Sequence, residues 1–202
     1  GKFWIERGFG LRGMAQQTSQ PAEERRQRRG DVAGQIVGEL LNRALGGGRQ
    51  GSGTRSAPAP VSTRAAVHVA KGITNAFAMT LDLFFGAKKG TLEIGTYQGK
   101  DRKSGYRLRY HTGGSPSLEL LRVSARGSSL IEIYSQPLAL EDRKFHRLEW
   151  TRDPFGAMVV KVDGKMLLRA SDRGFRDPFH GFILVNHDGD YIMRRIAIEG
   201  TG

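Results

Sequence analysis

Cysteine is absent from the 202-residue chain. That removes disulfides, thiolate metal sites and cysteine nucleophiles, and it leaves the compartment open, since periplasmic and cytosolic proteins alike can do without cysteine. No apolar run approaches the ~20 residues that a membrane-spanning helix needs. No charged, apolar and small-residue cleavage pattern opens the sequence, and residue 1 is Gly rather than Met, which fits either a processed end or an artificial boundary. The five histidines, His68, His111, His146, His180 and His187, include no His-x-His or His-x-x-x-His pair with metal-ligand spacing; surface or packing roles are expected for them. There is no Gly-x-Ser-x-Gly elbow and no Gly-x-x-x-x-Gly-Lys-Ser/Thr phosphate loop. Aromatic residues make up only 8% of the chain and hydrophobic residues 38%, enough for one core with appendages.

Positive charge, by contrast, is plentiful. The net charge is +12. Residues 1–64 hold eleven Lys/Arg against five Asp/Glu, and residues 65–202 hold twenty-one against fifteen, so the first part is about twice as basic per residue. Such a chain is drawn to phosphate, acidic lipid or an acidic partner, unless arginine serves only as its solubilising residue.

Composition divides the chain into segments. Residues 1–30 read as an extended, basic arm that opens with the apolar side chains Phe3, Trp4, Ile5, Phe9, Leu11 and Met14. Apolar groups on a solvated tail call for a cover, either a partner or the chain's own domain. Residues 31–45 predict a short docking helix: Asp31 is a good N-cap, Val32, Ile36, Leu40 and Leu41 recur at helical spacing, and the glycines at 46–48 end it. Residues 46–63 are a Gly/Ser/Pro linker. Partner contacts are expected from Phe3, Trp4, Ile5, Phe9, Leu11, Ile36 and Leu40.

Residues 64–202 alternate apolar and polar side chains in about eleven short segments spaced roughly ten residues apart, without helical patterning between them. Strands are predicted near 65–70, 77–85, 91–97, 106–112, 117–124, 129–135, 145–152, 157–163, 165–170, 181–187 and 191–199. The stretch FHRLEWTRDPFGAMVVKVDGKMLL, residues 145–168, is the clearest. Leu148 and Trp150 share one face of a strand, DPFG turns the chain, and Asp163-Gly164 closes a hairpin with the chemistry of a two-residue type I′ turn. The fold class predicted is mainly β: an antiparallel two-sheet jelly-roll sandwich, preceded by the arm and one short helix.

The LEW strand at 148–150, the Val162-Asp163-Gly164 turn, the GFILVNHDGDY segment and the closing RRIAIEG resemble concanavalin A-like jelly rolls, among them laminin-G-like domains and the domain of the 3-keto-disaccharide hydrolase family. The resemblance covers residues 64–200. It implies a sandwich that is often secreted, hence a periplasmic or extracellular setting, and it raises glycan binding and glycan hydrolysis as activities. Jelly-roll glycosidases of the laminarinase kind pair carboxylates along one strand. Here Asp82, Glu93, Glu132 and Glu149 each stand alone on their strands. Many laminin-G-like domains also hold calcium at a sheet rim, which makes Asp188 and Asp190 calcium candidates and Asn186, His187, Asp188 and Asp190 ligand candidates. The same Asp-Gly-Asp run is an ordinary hairpin turn. Arg107 and Arg109, on one side of their strand and interleaved with Tyr106, Leu108 and Tyr110, read as a basic face for a ligand, with Lys88, Lys89, Lys100, Arg102 and Lys103 nearby.

Without a nameable acid and base, the expected function is a non-catalytic interaction module or accessory subunit, attached to a larger assembly through residues 1–45 and open to a glycan. No metal or cofactor is required by this reading. A jelly-roll hydrolase is the alternative, and a nucleic-acid binder, with strongly salt-dependent affinity, the third.

Overall fold

The computed structural model describes residues 2–6, 10–14 and 64–201. The helix expected at 31–45, with Ile36 and Leu40, the linker at 46–63 and Phe9 lie outside the described residues. Gly1–Gln16 and Ser62–Gly202 group as one compact unit, distinct from Gln17–Val61.

Twelve strands make up the described residues: β1 Lys2–Glu6, β2 Gly10–Met14, β3 Arg64–Phe85, β4 Thr91–Tyr97, β5 Gly105–His111, β6 Ser117–Ser124, β7 Gly127–Tyr134, β8 Phe145–Arg152, β9 Ala157–Val162, β10 Lys165–Ser171, β11 Phe179–His187 and β12 Asp190–Thr201. All pairings are antiparallel. They form two layers joined through β3. Sheet I runs β3–β11–β4–β5–β6–β7, and sheet II runs β1–β2–β12–β3–β8–β9–β10.

Alternation explains the layering. Along β3, Phe77, Met79, Leu81, Leu83 and Phe85 point one way and are buried, while the residues between them are only partly covered. Along β8, Leu148 and Trp150 point inward as their spacing predicts, and Trp150 is 0% exposed. Edge-to-face contacts tie Phe77 to both Trp150 and Phe179, at 5.3 and 6.1 Å between ring centres. Aromatic pairs of this kind contribute about 1 kcal/mol each beyond the area they bury. The Asp163-Gly164 hairpin forms as expected: both residues have positive φ, 51° and 79°, which a type I′ turn requires and Gly tolerates without strain.

Two features depart from the sequence expectation. The strands predicted at 65–70 and 77–85 are one 22-residue strand that changes sheets. Its first part pairs with β11 and its second with β12 and β8, with register shifts near Ile73 on both neighbours. Polar residues settle the bend. The Thr74 hydroxyl donates to Ala76 O, and Asn75 Nδ2 donates to Phe175 O and Arg176 O. The second departure is at the front of the chain. Residues 2–6 and 10–14 do not trail as a free arm, because β1 and β2 pair with each other and β2 extends sheet II along Asp190–Met193 of β12. Leu11 packs against the core, and Arg12 donates from Nε and Nη2 to the two oxygens of Asp190, at 3.0 and 2.9 Å.

Candidate functional site

Sheet I turns Leu92, Ile94, Tyr106, Leu108, Tyr110, Leu118 and Leu120 toward the core. Because side chains alternate, the residues between them stand on the outer face, and strand register sets them in rows. One row crosses Val185, Glu93, Arg109 and Glu119; the next crosses His68, Ile183, Gly95, Arg107 and Leu121.

The first row is a chain of opposite charges. Glu93 Oε1 accepts from Arg109, with 2.9 Å to both Nε and Nη2. Arg109 reaches Glu119 at 3.7 Å, and Glu119 reaches His111 at 3.5 Å. His187 stands 3.9 Å from Glu93 on the opposite flank. Burial holds the His187 pKa below its ordinary 6.5, with Arg64 and Arg109 adding to the effect and Glu93 opposing it. Each charge in this row has an opposite neighbour.

The second row is built around a glycine. A Cβ at Gly95 would press on the Tyr106 carbonyl oxygen and sit 3.0 Å from Arg107 Cδ. Only a glycine there lets the Arg107 side chain lie flat across β4. Lying flat, Arg107 is 3% exposed and donates from Nη1 to Thr96 O and, at 3.0 Å, to Tyr106 O. Burial pulls its pKa down to about 10, against the support of Glu93. Beside it, Tyr97, Ile183 and Val185 form a small apolar cluster outside the main core. His68 meets the Tyr97 ring edge-on, and the Arg102 guanidinium stands 5.8 Å from the centre of the same ring.

Of these residues, His68, Arg102, Arg107, Ile183 and Val185 line a groove of about 370 Å³ together with Arg64, Glu93, Asp101, Lys103, Val123, Ser124 and Ala125. Its long wall is the β4–β5 loop; Arg102 in that loop has a positive φ of 56°. Arginine and lysine outnumber carboxylates in the lining, four to two. The effect registers on His68, whose pKa lies below 6.5 because of burial and then of Arg102, Arg107 and Arg64. Chemically, the groove offers guanidinium and ammonium donors, the His68 ring and an apolar patch of Val123, Ile183 and Val185. That is the equipment for holding a polar ligand by hydrogen bonds and apolar contact. A broader depression of about 780 Å³ lies on sheet II, lined by Thr80, Glu149, Thr151, Lys161, Arg169 and Glu199 among others. It mixes both signs of charge, and its buried cation, Arg152, is held by Asn75 and by the backbone carbonyls of Asn75, Asp172 and Phe175.

The candidates from sequence fall in three places. Arg107 and Arg109 do share one face, but not as a solvated basic face: Arg107 is buried and Arg109 is held between two glutamates. His187 joins the charged row. Asn186 and Asp190 serve the fold. The Asn186 amide bonds both the N–H and the C=O of Gly189, at 2.9 and 3.0 Å, and Asp190 holds Arg12. Asp188 occupies the turn between them with φ 58°. Among the described residues, no group of three or more His, Asp or Glu is placed to hold a metal ion, and no helix is long and apolar enough to cross a membrane. Phe3, Trp4 and Ile5 pair through their backbones with Gly13, Arg12 and Leu11.

Sequence reasoning missed the roles of Gly95, Tyr97, His68 and Glu119. One signal was present: an isolated glycine within a strand often marks a close approach of another group. Glu93 and Glu119 converge from different strands, which single-strand motif searching cannot see. Arg109 stands between them, an ion-pair row rather than an acid and a nucleophile facing each other across a substrate.

No protein-family model and no curated protein sequence matches the chain. Solved structures do. The carbohydrate-binding module CBM66 from Bacillus subtilis matches with a TM-score of 0.55 at 15% identity, over 67% of this chain and 81% of that one. The lactose- and MES-liganded congerin II matches with 0.52 at 13% identity, over 68% and 100%. The galectin LEC-6 of Caenorhabditis elegans matches with 0.50 at 16% identity, over 68% and 91%. At such identities the likeness is one of fold, and the fold is a galectin-like jelly-roll β-sandwich.

Proposed function

We propose that this chain is a non-catalytic carbohydrate-binding module that seats a saccharide in the groove of sheet I. The observation that carries the reading is the groove itself: a channel with a buried arginine, an apolar patch of Val123, Ile183 and Val185, and further cationic donors along it. Saccharides are recognised by hydrogen bonds to hydroxyls combined with contact of their C–H faces against apolar surface, and the groove holds both kinds of group. Support also comes from the solved neighbours, which include a carbohydrate-binding module and a lactose-liganded protein.

The proposal extends to attachment and setting. Attachment to a larger assembly falls to residues 1–45, of which 2–6 and 10–14 also pair through their backbones in sheet II. A periplasmic or extracellular setting suits a glycan ligand. Kinship with laminin-G-like or 3-keto-disaccharide hydrolase domains belongs to the same proposal and rests on the Val162-Asp163-Gly164 turn and the closing strand.

The test is a glycan microarray probed with the full chain and with Ser124→Trp, which sets an indole in the groove from the exposed end of β6. Retention on at least one glycan, lost in the variant, is the expected result. Retention unchanged by the indole, or release of new reducing ends from the bound glycan, defeats the proposal.

A further inference from the structure

Arg64, Arg102, Lys103 and Arg107 all line the groove. None of the four makes an ion pair with a carboxylate among the described residues. The two carboxylates beside them are engaged elsewhere. Glu93 is bound by Arg109 at 2.9 Å, and Asp101 accepts from the backbone N–H of Lys103 at 3.3 Å.

Arg107 is the telling member. A buried charge is costly unless it is paired, yet its only partners are two backbone carbonyls on Nη1. A guanidinium carries five N–H donors; those on Nε and Nη2 take no partner among the described residues. The charged row next to it shows how this sheet neutralises an arginine that serves structure alone: glutamates flank it on both sides. Arg107 has Gly95 and Leu121 in the corresponding positions.

We infer that the groove selects acidic saccharides, those bearing a carboxylate or sulfate, whose oxyanion pairs with Arg107 while Arg64, Arg102 and Lys103 hold the flanking sugar oxygens. This rests on the carbohydrate reading above and adds its ligand class. Glu93 and Asp101 are two carboxylates against four cations, and an oxyanion supplies a further counter-charge with several acceptor lone pairs. Charge-assisted bonds to it are about twice as strong as neutral ones, so selection over a neutral sugar of the same shape follows. Lowering of the His68 pKa, by burial first and then by the three arginines of the groove, accords with the excess of positive charge there.

The experiment is calorimetric titration of the full chain at about 0.15 M ionic strength, where the Debye length is about 8 Å and distant surface charges are largely screened. The probes are an oligogalacturonate, the same oligomer with its carboxyls reduced, dextran sulfate, unmodified dextran, and a DNA duplex. Expected is binding of the oligogalacturonate or dextran sulfate at least about 10-fold tighter than of its neutral counterpart; which of the two responds distinguishes carboxylate from sulfate. Arg107→Met should lower that affinity by about 10- to 100-fold, and Arg107→Lys should restore part of it. Should Arg107→Met not fold, the double change Arg102→Gln and Lys103→Gln, in a surface loop, should weaken the acidic probe and leave the neutral one unchanged. Equal affinity for acidic and neutral members overturns the inference while the carbohydrate reading stands. No binding to any saccharide overturns both. DNA bound as tightly as the acidic saccharide, with no loss in Arg107→Met, marks a general basic surface and also overturns the inference.

Discussion

On the outer face of sheet I, the row through Glu93, Arg109 and Glu119 and the row through Gly95, Arg107 and Leu121 lie side by side on the same three strands. Each has an arginine from β5 at its centre, and the two arginines are two residues apart. In one row, glutamates from β4 and β6 close on the guanidinium and leave little field. In the other, a glycine and a leucine occupy those places, and the arginine sinks onto the backbone without an ion pair, with Glu93 of the neighbouring row as its carboxylate support. The residue type is the same in both. What differs is the cross-strand neighbour, and that neighbour ties one arginine into ion pairs and leaves the other with backbone partners alone.

The comparison can be broken most forcefully at its glycine. Gly95→Val puts a branched side chain against the Tyr106 carbonyl and under Arg107. A loss of roughly 3 kcal/mol is expected, seen as a lower urea midpoint; an unchanged midpoint would mean that the flat path of Arg107 does not depend on this floor. Next comes Arg109→Met, which leaves Glu93 and Glu119 without their shared cation. A loss of about 2 kcal/mol is expected, less than for a fully buried pair because Arg109 keeps some exposure. Arg107→Met should cost under about 1 kcal/mol in the same assay, since it removes a desolvated charge that has no carboxylate partner. If the two methionine variants are equally destabilised, the contrast between the rows fails.

A smaller, pH-dependent difference sharpens the picture. His68 has a pKa below 6.5 and is neutral at pH 7. A bound anion favours its protonated form, so binding takes up a proton and affinity for an acidic saccharide rises as pH falls below 6.5. A gain of about 5-fold is expected, of the order of one screened charge pair, and His68→Phe should abolish it. The smallest effect has the opposite sign and lies away from this face. His146 bonds Asp163 at 2.7 Å through Nδ1 and Asp142 at 2.9 Å through Nε2. Burial opposes its charge, but the two carboxylates outweigh that, and its pKa lies above 6.5. Its stabilisation is therefore complete below pH 6.5 and is lost as pH rises through the raised value. The pKa of Asp163 lies below 3.8, where burial is outweighed by the His146 bond, and that of Asp142 is lowered chiefly by the same histidine. Their share holds above pH 3.8 and fades as pH falls through the lowered values. The melting temperature of His146→Gln should thus fall furthest below that of the parent chain near pH 5 and approach it above pH 8; a gap independent of pH would contradict the charged clamp.

Much of the sandwich could be read from residue order. Alternation located β4, β6 and β8 at their observed bounds, and Asp163-Gly164 announced its turn, because period-two burial and positive φ are local demands. Three features could not be read that way. The bend in β3 near Ile73 depends on the strands that flank it. The pairing of residues 2–6 with 10–14 depends on an open edge of β12, and their apolar residues alone could equally have indicated a partner. The site is the third case. Arg107 and Arg109 are indistinguishable along the chain, since both are arginines on the same face of one strand.

Sequence by itself determined a mainly β chain with inward Leu, Phe and Trp, its turns, and its excess of positive charge, all of which follow from side-chain chemistry and local backbone preference. Only the tertiary structure decided which cation is ion-paired and which is not. Strand register places Glu93 beside Arg109 and Gly95 beside Arg107, and register is a property of paired strands, settled when the two sheets close around a common core.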